Sequence, residues 1–318
     1  MDAEQRIKYY LGKERNMPVV VRYSSLKESD KPLRYCYHDF QGSPFPKGKT
    51  TYYQDMTRAI HYLPTFYKTS FLFYPHDRVE GFTVPTLVKS RPIHGYDESI
   101  LFNMNYIRHF SDVYNVEDID IPYHQKKNIL VWRGSDTGYG FGNNIPFRPV
   151  SRQTLVEQYY DYQGHEIDVG LSSVSVNKQK HSLLTTTPPS SFQKYVKPKM
   201  NIKDMLQHKF ILSVEGNDVA TNMKWILCSN SVAFCPPFTI NSWILEEHLH
   251  PWQHYIPVRH DFMDLPEKVE WAMNHPTQCE GILEEAHKYM APFFDMKQEN
   301  KIMSTILEGY ARNVKIMD

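Results

Sequence analysis

From Asn128 onward the chain alternates short apolar stretches with longer ones whose apolar residues recur at helical spacing. Strands are expected at residues 128–132, 209–214 (KFILSV), 231–235 (SVAFC) and 255–258 (YIPV). Helices are expected at 219–230 (VATNMKWILCSN), 242–249 (SWILEEHL), 265–275 (LPEKVEWAMNH) and 281–294 (GILEEAHKYMAPFF). Such alternation implies parallel βαβ units and a sheet covered on both faces. Residues 172–203 are rich in Ser, Thr, Lys and Pro without periodicity, and read as a long surface loop.

Upstream the pattern is less regular. β-rich pieces at 19–23 (VVVRY), 69–74 (TSFLFY) and 84–88 (VPTLV) are set among stretches dense in Tyr, Pro and charge. Ser90-Arg91-Pro92 reads as a turn, and residues 99–114 (SILFNMNYIRHFSDVY) carry a helical apolar spacing. The polar stretch Asp118–Lys127, with Pro122 inside it, reads as a linker. A length of 318 residues suits two domains of about 150 residues each. They are placed at 1–124 and 125–294, with 295–318 a terminal helix able to pack on either half.

Charge narrows the partners. Lys plus Arg equals Asp plus Glu at 36 each, so no global field favours nucleic acid or an anionic membrane, and an anionic ligand must be held locally. The opening MDAEQRIKYYLGKERN lacks the apolar core of a secretory signal, and no run reaches the roughly 18 apolar residues that span a bilayer. Cys36, Cys228, Cys235 and Cys279 show no CxxC or zinc-ribbon spacing and read as ordinary thiols of a reducing compartment. The expected location is the cytoplasm. No metal is expected: the pairs His248 with His250 and His254 with His260 read as surface residues rather than ligands.

In a parallel α/β sheet, ligands sit outside the carboxyl ends of the strands. Two strand exits carry chemistry. In the first, Arg133, Gly134 and Ser135 end a buried strand. The guanidinium there can grip a phosphate in a bidentate manner or pair with a neighbouring acid. In the second, Glu215, Gly216 and Asn217 lead into a helix whose free amides, with Thr221 and Lys224, are placed to hold a diphosphate. A plain Asn217 or Asp218 helix cap is the competing reading. Neither GxGxxG nor GxxxxGK[ST] is present, which weighs against a nicotinamide-dependent oxidoreductase and a P-loop hydrolase.

The stretch EGNDVATNMKWILCSNSVAFCPP, followed by SWILEEHLHPWQHYIPVRHDFMDLPEKVEWAMNH, resembles glycosyltransferase family 90. That family includes protein O-glucosyltransferases, capsule xylosyltransferases and lipopolysaccharide-modifying enzymes. VKSRPI (88–93), IRHF (107–110) and VWRGS (131–135) match it in the same order, and the likeness covers roughly Pro85 to Phe294. The resemblance implies an α/β protein of GT-B fold, two Rossmann-like domains facing across a cleft. It also implies inverting transfer from a UDP-sugar to a glycan, with no metal and no further cofactor. The donor then lies in the second half, around Glu215 to Lys224 and Trp243 to Tyr255, and the acceptor belongs to the first. Carried over by motif, Arg133 stands near the diphosphate, Gly216 begins the donor loop, Ser231 closes its helix and Glu246 contacts the nucleotide. His254 and Tyr255 match a histidine-tyrosine pair.

Two departures follow from the same resemblance. The family often has arginine where this chain has Asn222, so Lys224 is expected to take part of that charge. Many eukaryotic members carry a catalytic aspartate where this chain reads Lys89-Ser90-Arg91-Pro92, a form typical of the bacterial branch. A bacterium, or a large virus acting in host cytoplasm, is the expected source. Inverting transfer needs a proton acceptor. Asp77 and Asp97 rank together, ahead of His94, because they flank that segment. Xylose stands slightly ahead of glucose as donor sugar. A catalytically silent glycan-binding protein of the same fold is the alternative.

Overall fold

The computed structural model describes residues 1–12, 18–27, 31–36, 54–56, 70–74, 77, 81–93, 97–104, 113, 115–138, 152–164, 166–174 and 189–318. Contacts divide the chain into two compact units. Unit 1 comprises Met1–Ser111, Ile240–Leu245 and Phe293–Asp318, and unit 2 comprises Asp112–Thr239 and Glu246–Pro292.

Unit 1 is built on β1 (Val19–Arg22), β2 (Leu33–Cys36), β3 (Ser70–Tyr74), β4 (Thr86–Val88), β5 (Arg91–Pro92) and β6 (Ser99–Leu101). Its main sheet has the order β2-β3-β4-β6, antiparallel between β2 and β3 and parallel elsewhere. Phe71, Leu72 and Phe73 of β3 are wholly buried, so both faces of that strand are covered. Part of the cover comes from α8 (Met296–Asn313), whose Ile306, Leu307 and Tyr310 join the same apolar cluster. The Tyr310 hydroxyl accepts from Leu72 N–H (3.1 Å) and donates to Pro85 O (2.9 Å). After α8 the chain forms β13 (Val314–Met317), which pairs in parallel with β1.

The first helix, α1 (Ala3–Leu11), starts with an Asp2–Gln5 capping box. Its Arg6 makes a buried bidentate pair with Glu299 of α8 (2.5 and 2.8 Å) and donates to the Tyr10 hydroxyl (2.8 Å). Arg91–Pro92, expected as a turn, instead pairs antiparallel with β11 (Ile240–Asn241). The expected helix over 99–114 begins as strand β6. A fully buried apolar run has no polar face by which its period can be read.

Unit 2 carries β7 (Lys127–Ser135), β8 (Ile167–Ser173), β9 (His208–Leu212), β10 (Val232–Cys235) and β12 (Ile256–Pro257). They form one all-parallel sheet in the order β8-β7-β9-β10-β12. Counted within the unit this is 2-1-3-4-5, the flavodoxin-like doubly wound arrangement. The chain is thus a mixed α/β protein with parallel sheets. Trp132, Phe210, Phe234 and Ile256 lie in the core of this sheet beneath α6 (Leu265–Asn274) and α7 (Pro276–Met290). Proline at the first turn of each of these two helices occupies a site where its missing N–H costs nothing.

Other expected elements are shorter or absent. The linker at 118–127 holds a one-turn helix, α2 (Val116–Ile119), and a 3-10 turn, Tyr123–Gln125. Helix 219–230 shrinks to α5 (Met223–Ile226), and helix 242–249 to the 3-10 turn Glu246–His248. Part of the expected loop at 172–203 is a 3-10 helix, Pro189–Tyr195. Among the described residues no helix is long and apolar enough to cross a membrane.

Candidate functional site

Where the strand order of a doubly wound sheet reverses, the loops at the carboxyl ends part and leave a crevice for ligand. In unit 2 this switch point falls between β7 and β9, whose exits run through Asp136–Gly138 and Ser213–Asn217 respectively. The two exits touch. Gly138 has a φ of 97°, a conformation suited to glycine, and a Cβ there would lie 3.0 Å from Gly216 O. Gly138 N–H donates to Asn217 Oδ1 (3.3 Å). A Cβ on Gly216 would lie 2.9 Å from both Arg152 Nη2 and Thr137 Oγ1. Glycine at both positions is what lets the loops meet.

Arg152, the first residue of α3 (Arg152–Tyr159), brings a guanidinium to this junction. It donates to Ser135 O (3.1 Å), Thr137 Oγ1 (2.8 Å) and Val214 O (2.7 Å), and lies 5.7 Å from the Trp132 ring centroid. A cation is therefore fixed to both exits at the switch point, the position where an anionic ligand is best held. Arg152 was not among the expected site residues, because it ends no strand and reaches the junction from the helix that follows β7. The available signal was an arginine opening the helix after β7.

The residues singled out from sequence divide into two groups. Ser135, Gly216 and Asn217 line the junction: Ser135 Oγ lies 3.1 Å from Thr137 Oγ1. Thr221 is exposed on the same connection. The others are tied elsewhere. Arg133 takes the neighbouring-acid arrangement. Its side chain is 7% exposed and bonds Asp168 Oδ2 (2.8 Å), Asp168 O (3.0 Å) and Trp132 O (2.9 Å). Burial pushes the Asp168 carboxyl up, but the hydrogen bonds and charges of Arg133 and Lys197 outweigh it and hold the group below its ordinary value. Gly134 makes room for Trp132, since a Cβ there would lie 2.6 Å from the indole.

Glu215 accepts from Thr239 N–H (2.9 Å) and from the Thr239 hydroxyl. Asn222 fastens the end of β9 by donating to Leu212 O (3.1 Å) and accepting from Ser213 Oγ (3.0 Å). Lys224 is buried and faces the equally buried Glu246 at 3.3 Å, so the charge expected to replace the missing arginine sits in an internal ion pair. The helix expected to aim its amides at a diphosphate is one turn long, too short for a useful dipole. Ser231 lies before β10, at the opposite end of the sheet from the crevice, bonded to His208 O (2.8 Å) and Lys126 (2.9 Å).

His254, expected at the surface, is buried. Its Nδ1 accepts from His250 N–H (2.8 Å), and burial lowers its basicity. Trp243 belongs to unit 1, where its carbonyl accepts from Tyr10 (2.5 Å).

The candidate proton acceptors also belong to unit 1. Asp77 is paired with the buried Lys89 (2.5 Å). Asp97 accepts from Ser99 N–H (2.6 Å). Burial raises the Asp97 carboxyl above its ordinary value, against the Ser99 hydrogen bonds and the Arg91 charge. Arg91 itself donates to the carbonyls of Tyr9, Tyr10 (3.0 Å) and Ser99 (3.2 Å), closing the end of α1. His94 lies outside the described residues. Among the described residues no three His, Cys, Asp or Glu side chains are grouped to hold a metal.

A doubly wound unit with a cation fixed at its switch point belongs to the broad class that presents backbone and arginine to anionic ligands. The sequence comparisons resolve that class. The family model described as Glycosyl transferase family 90 matches residues 117–317, and the chain belongs to this family. It is 31% identical over 265 residues to O-glucosyltransferase LpsA of Dichelobacter nodosus, covering 83% of this chain and 72% of that protein. It is 34% identical over 79 residues to Protein O-glucosyltransferase 2 of Danio rerio, covering 25% of this chain and 16% of that one. Among solved structures, a glycosyltransferase from Rickettsia africae ESF-5 superposes with a TM-score of 0.37 at 10% identity, over 71% of this chain and 64% of that one. The chain is thus a member of a glycosyltransferase family, and two of the proteins it is similar to are named O-glucosyltransferases.

Proposed function

We propose that the chain moves a sugar from a UDP-sugar to a hydroxyl of a glycan, with inversion at the anomeric carbon and without a metal ion. This reading assigns it the GT-B class, with unit 2 holding the donor and unit 1 serving the acceptor. The observation that carries it is Arg152 fixed between the exits of β7 and β9. There it supplies positive charge for a diphosphate leaving group. Asp97 is the proton acceptor placed first, because a half-buried carboxyl whose basicity burial raises is the better base of the two. Asp77, already paired with Lys89, comes second. Two relatives carry O-glucosyltransferase in their names, which supports glucose ahead of xylose as the donor sugar.

The test is a panel of nucleotide sugars incubated with the protein and read by UDP release. Slow release from UDP-glucose or UDP-xylose is expected even without acceptor. Binding of sugar with no turnover of any donor would favour the silent glycan-binding alternative. In the same assay, turnover is expected to be unchanged in excess chelator, because Arg152 supplies the charge a divalent cation would otherwise provide. Loss of activity on chelation, restored by manganese or magnesium, would overturn the metal-free mechanism.

A further inference from the structure

Unit 2 has a concavity of about 600 Å³ beside β12, two strands across the sheet from β9. Trp252, Arg259, His260, Asp261, Asp264 and Lys268 form most of its wall. Trp252 is 44% exposed, whereas Trp132, Trp225 and Trp243 are buried. Its φ of 64° lies in the left-handed region, which a non-glycine residue adopts only at an energetic cost. The surroundings hold it there. Trp252 N–H donates to Tyr255 O (2.7 Å), and the indole packs edge-on against Trp271 with centroids 4.8 Å apart. Trp271 is in turn stacked on His275 at 4.6 Å. A rigid, exposed aromatic surface results.

The polar part of the wall is balanced. Arg259 is clasped by Asp261 through two hydrogen bonds (3.0 and 2.6 Å), and Arg259 N–H donates to Asp264 Oδ1 (2.9 Å). The Lys268 ammonium lies 5.2 Å from the Trp252 ring centroid. Two cations against two carboxylates give no field that would draw a phosphate. The buried Nδ1 of His260, behind the wall, has no hydrogen-bond partner among the described residues. An apolar ring bordered by paired carboxylates and cations suits a neutral pyranose: its C–H face can lie on the indole while its hydroxyls meet the charged rim.

We propose that this pocket is a second carbohydrate site, holding a neutral segment of a glycan apart from the switch-point crevice. The proposal rests on the reading that the protein acts on glycans. The test titrates the full chain, without nucleotide, with cellohexaose, maltohexaose and xylohexaose, read by tryptophan emission for the parent and by calorimetry for parent and variants, since the Trp252 variants lack the reporter. At least one sugar is expected to give a saturable blue shift. Trp252→Ala should weaken that binding at least tenfold, and Trp252→Phe should largely retain it. Lys268→Ala, outside the expected donor segments, should also weaken sugar binding while UDP affinity and UDP release stay unchanged, and it carries the test alone if Trp252→Ala does not fold. No saturable response to any of the three sugars, equal sugar affinity in the variants, or a Trp252-dependent shift with UDP instead would overturn the proposal. A protein that binds sugar here yet releases UDP from no donor would sink the transferase reading alone.

Discussion

Asp97→Asn is expected to lower turnover by about 10² to 10⁴, the range contributed by a positioned proton acceptor, while leaving UDP affinity nearly unchanged. The two carboxyl candidates separate in this experiment, since Asp77→Asn should cost far less if Lys89 already engages Asp77. The pH dependence gives a second readout. Burial raises the folded-state pKa of Asp97 above its unfolded value. The base works only when deprotonated, so activity should fall as pH drops through a midpoint above the usual aspartate range. Stability runs the other way. A raised carboxyl stabilises the fold below its unfolded pKa, and that contribution disappears as pH rises through the folded value. At neutral pH Asp97→Asn should therefore melt no lower than the parent while turning over far more slowly. Parallel loss of melting temperature and activity would show a structural role instead.

Arg152→Ala is expected to weaken UDP binding by about ten- to a hundredfold. That is the effect of losing one charge-assisted contact contributing about 1.5–3 kcal/mol. Arg133→Ala provides the contrast. Its charge is paired with the Asp168 carboxylate, so its removal should lower stability and leave UDP affinity nearly intact in the folded fraction. Calorimetric titration with UDP, alongside thermal melting, separates the two arginines. Should Arg133→Ala abolish UDP binding in a folded protein while Arg152→Ala does not, the phosphate-gripping role returns to the strand end.

The sheet of unit 2 was legible because its strands are short apolar runs separated by helical spacing. KFILSV, SVAFC and YIPV all lie on β9, β10 and β12. Ser242–Leu249 departs from the helix its spacing predicts for a nonlocal reason. Its apolar residues satisfy a helical period, but Ile240–Leu245 is drawn into unit 1, where β11 pairs with β5, and Leu245 takes a φ of 55°. At the site, the glycines and Asn217 could be read from sequence because turns need them. The division of labour among charges could not. Arg133, Lys224 and Glu246 are as consistent with ligand contact as Arg152 until their partners are known, and those partners lie far along the chain.

Unit 1 is assembled from three separated pieces of chain, and this bears on how the protein is made. Every residue of unit 2 precedes Phe293, whereas the core of unit 1 waits for α8 and β13. At translation rates of about 5–20 residues per second, roughly 12 to 47 s pass between the emergence of β3 and that of Tyr310. During that interval Phe71, Leu72 and Phe73 lack the helix that covers them, a state prone to association through open strand edges. Unit 2 should therefore close first on the ribosome and unit 1 last. Yield should then depend on chaperones that shield the waiting strands, and truncation after Pro292 should leave a folded second unit joined to an aggregating first one.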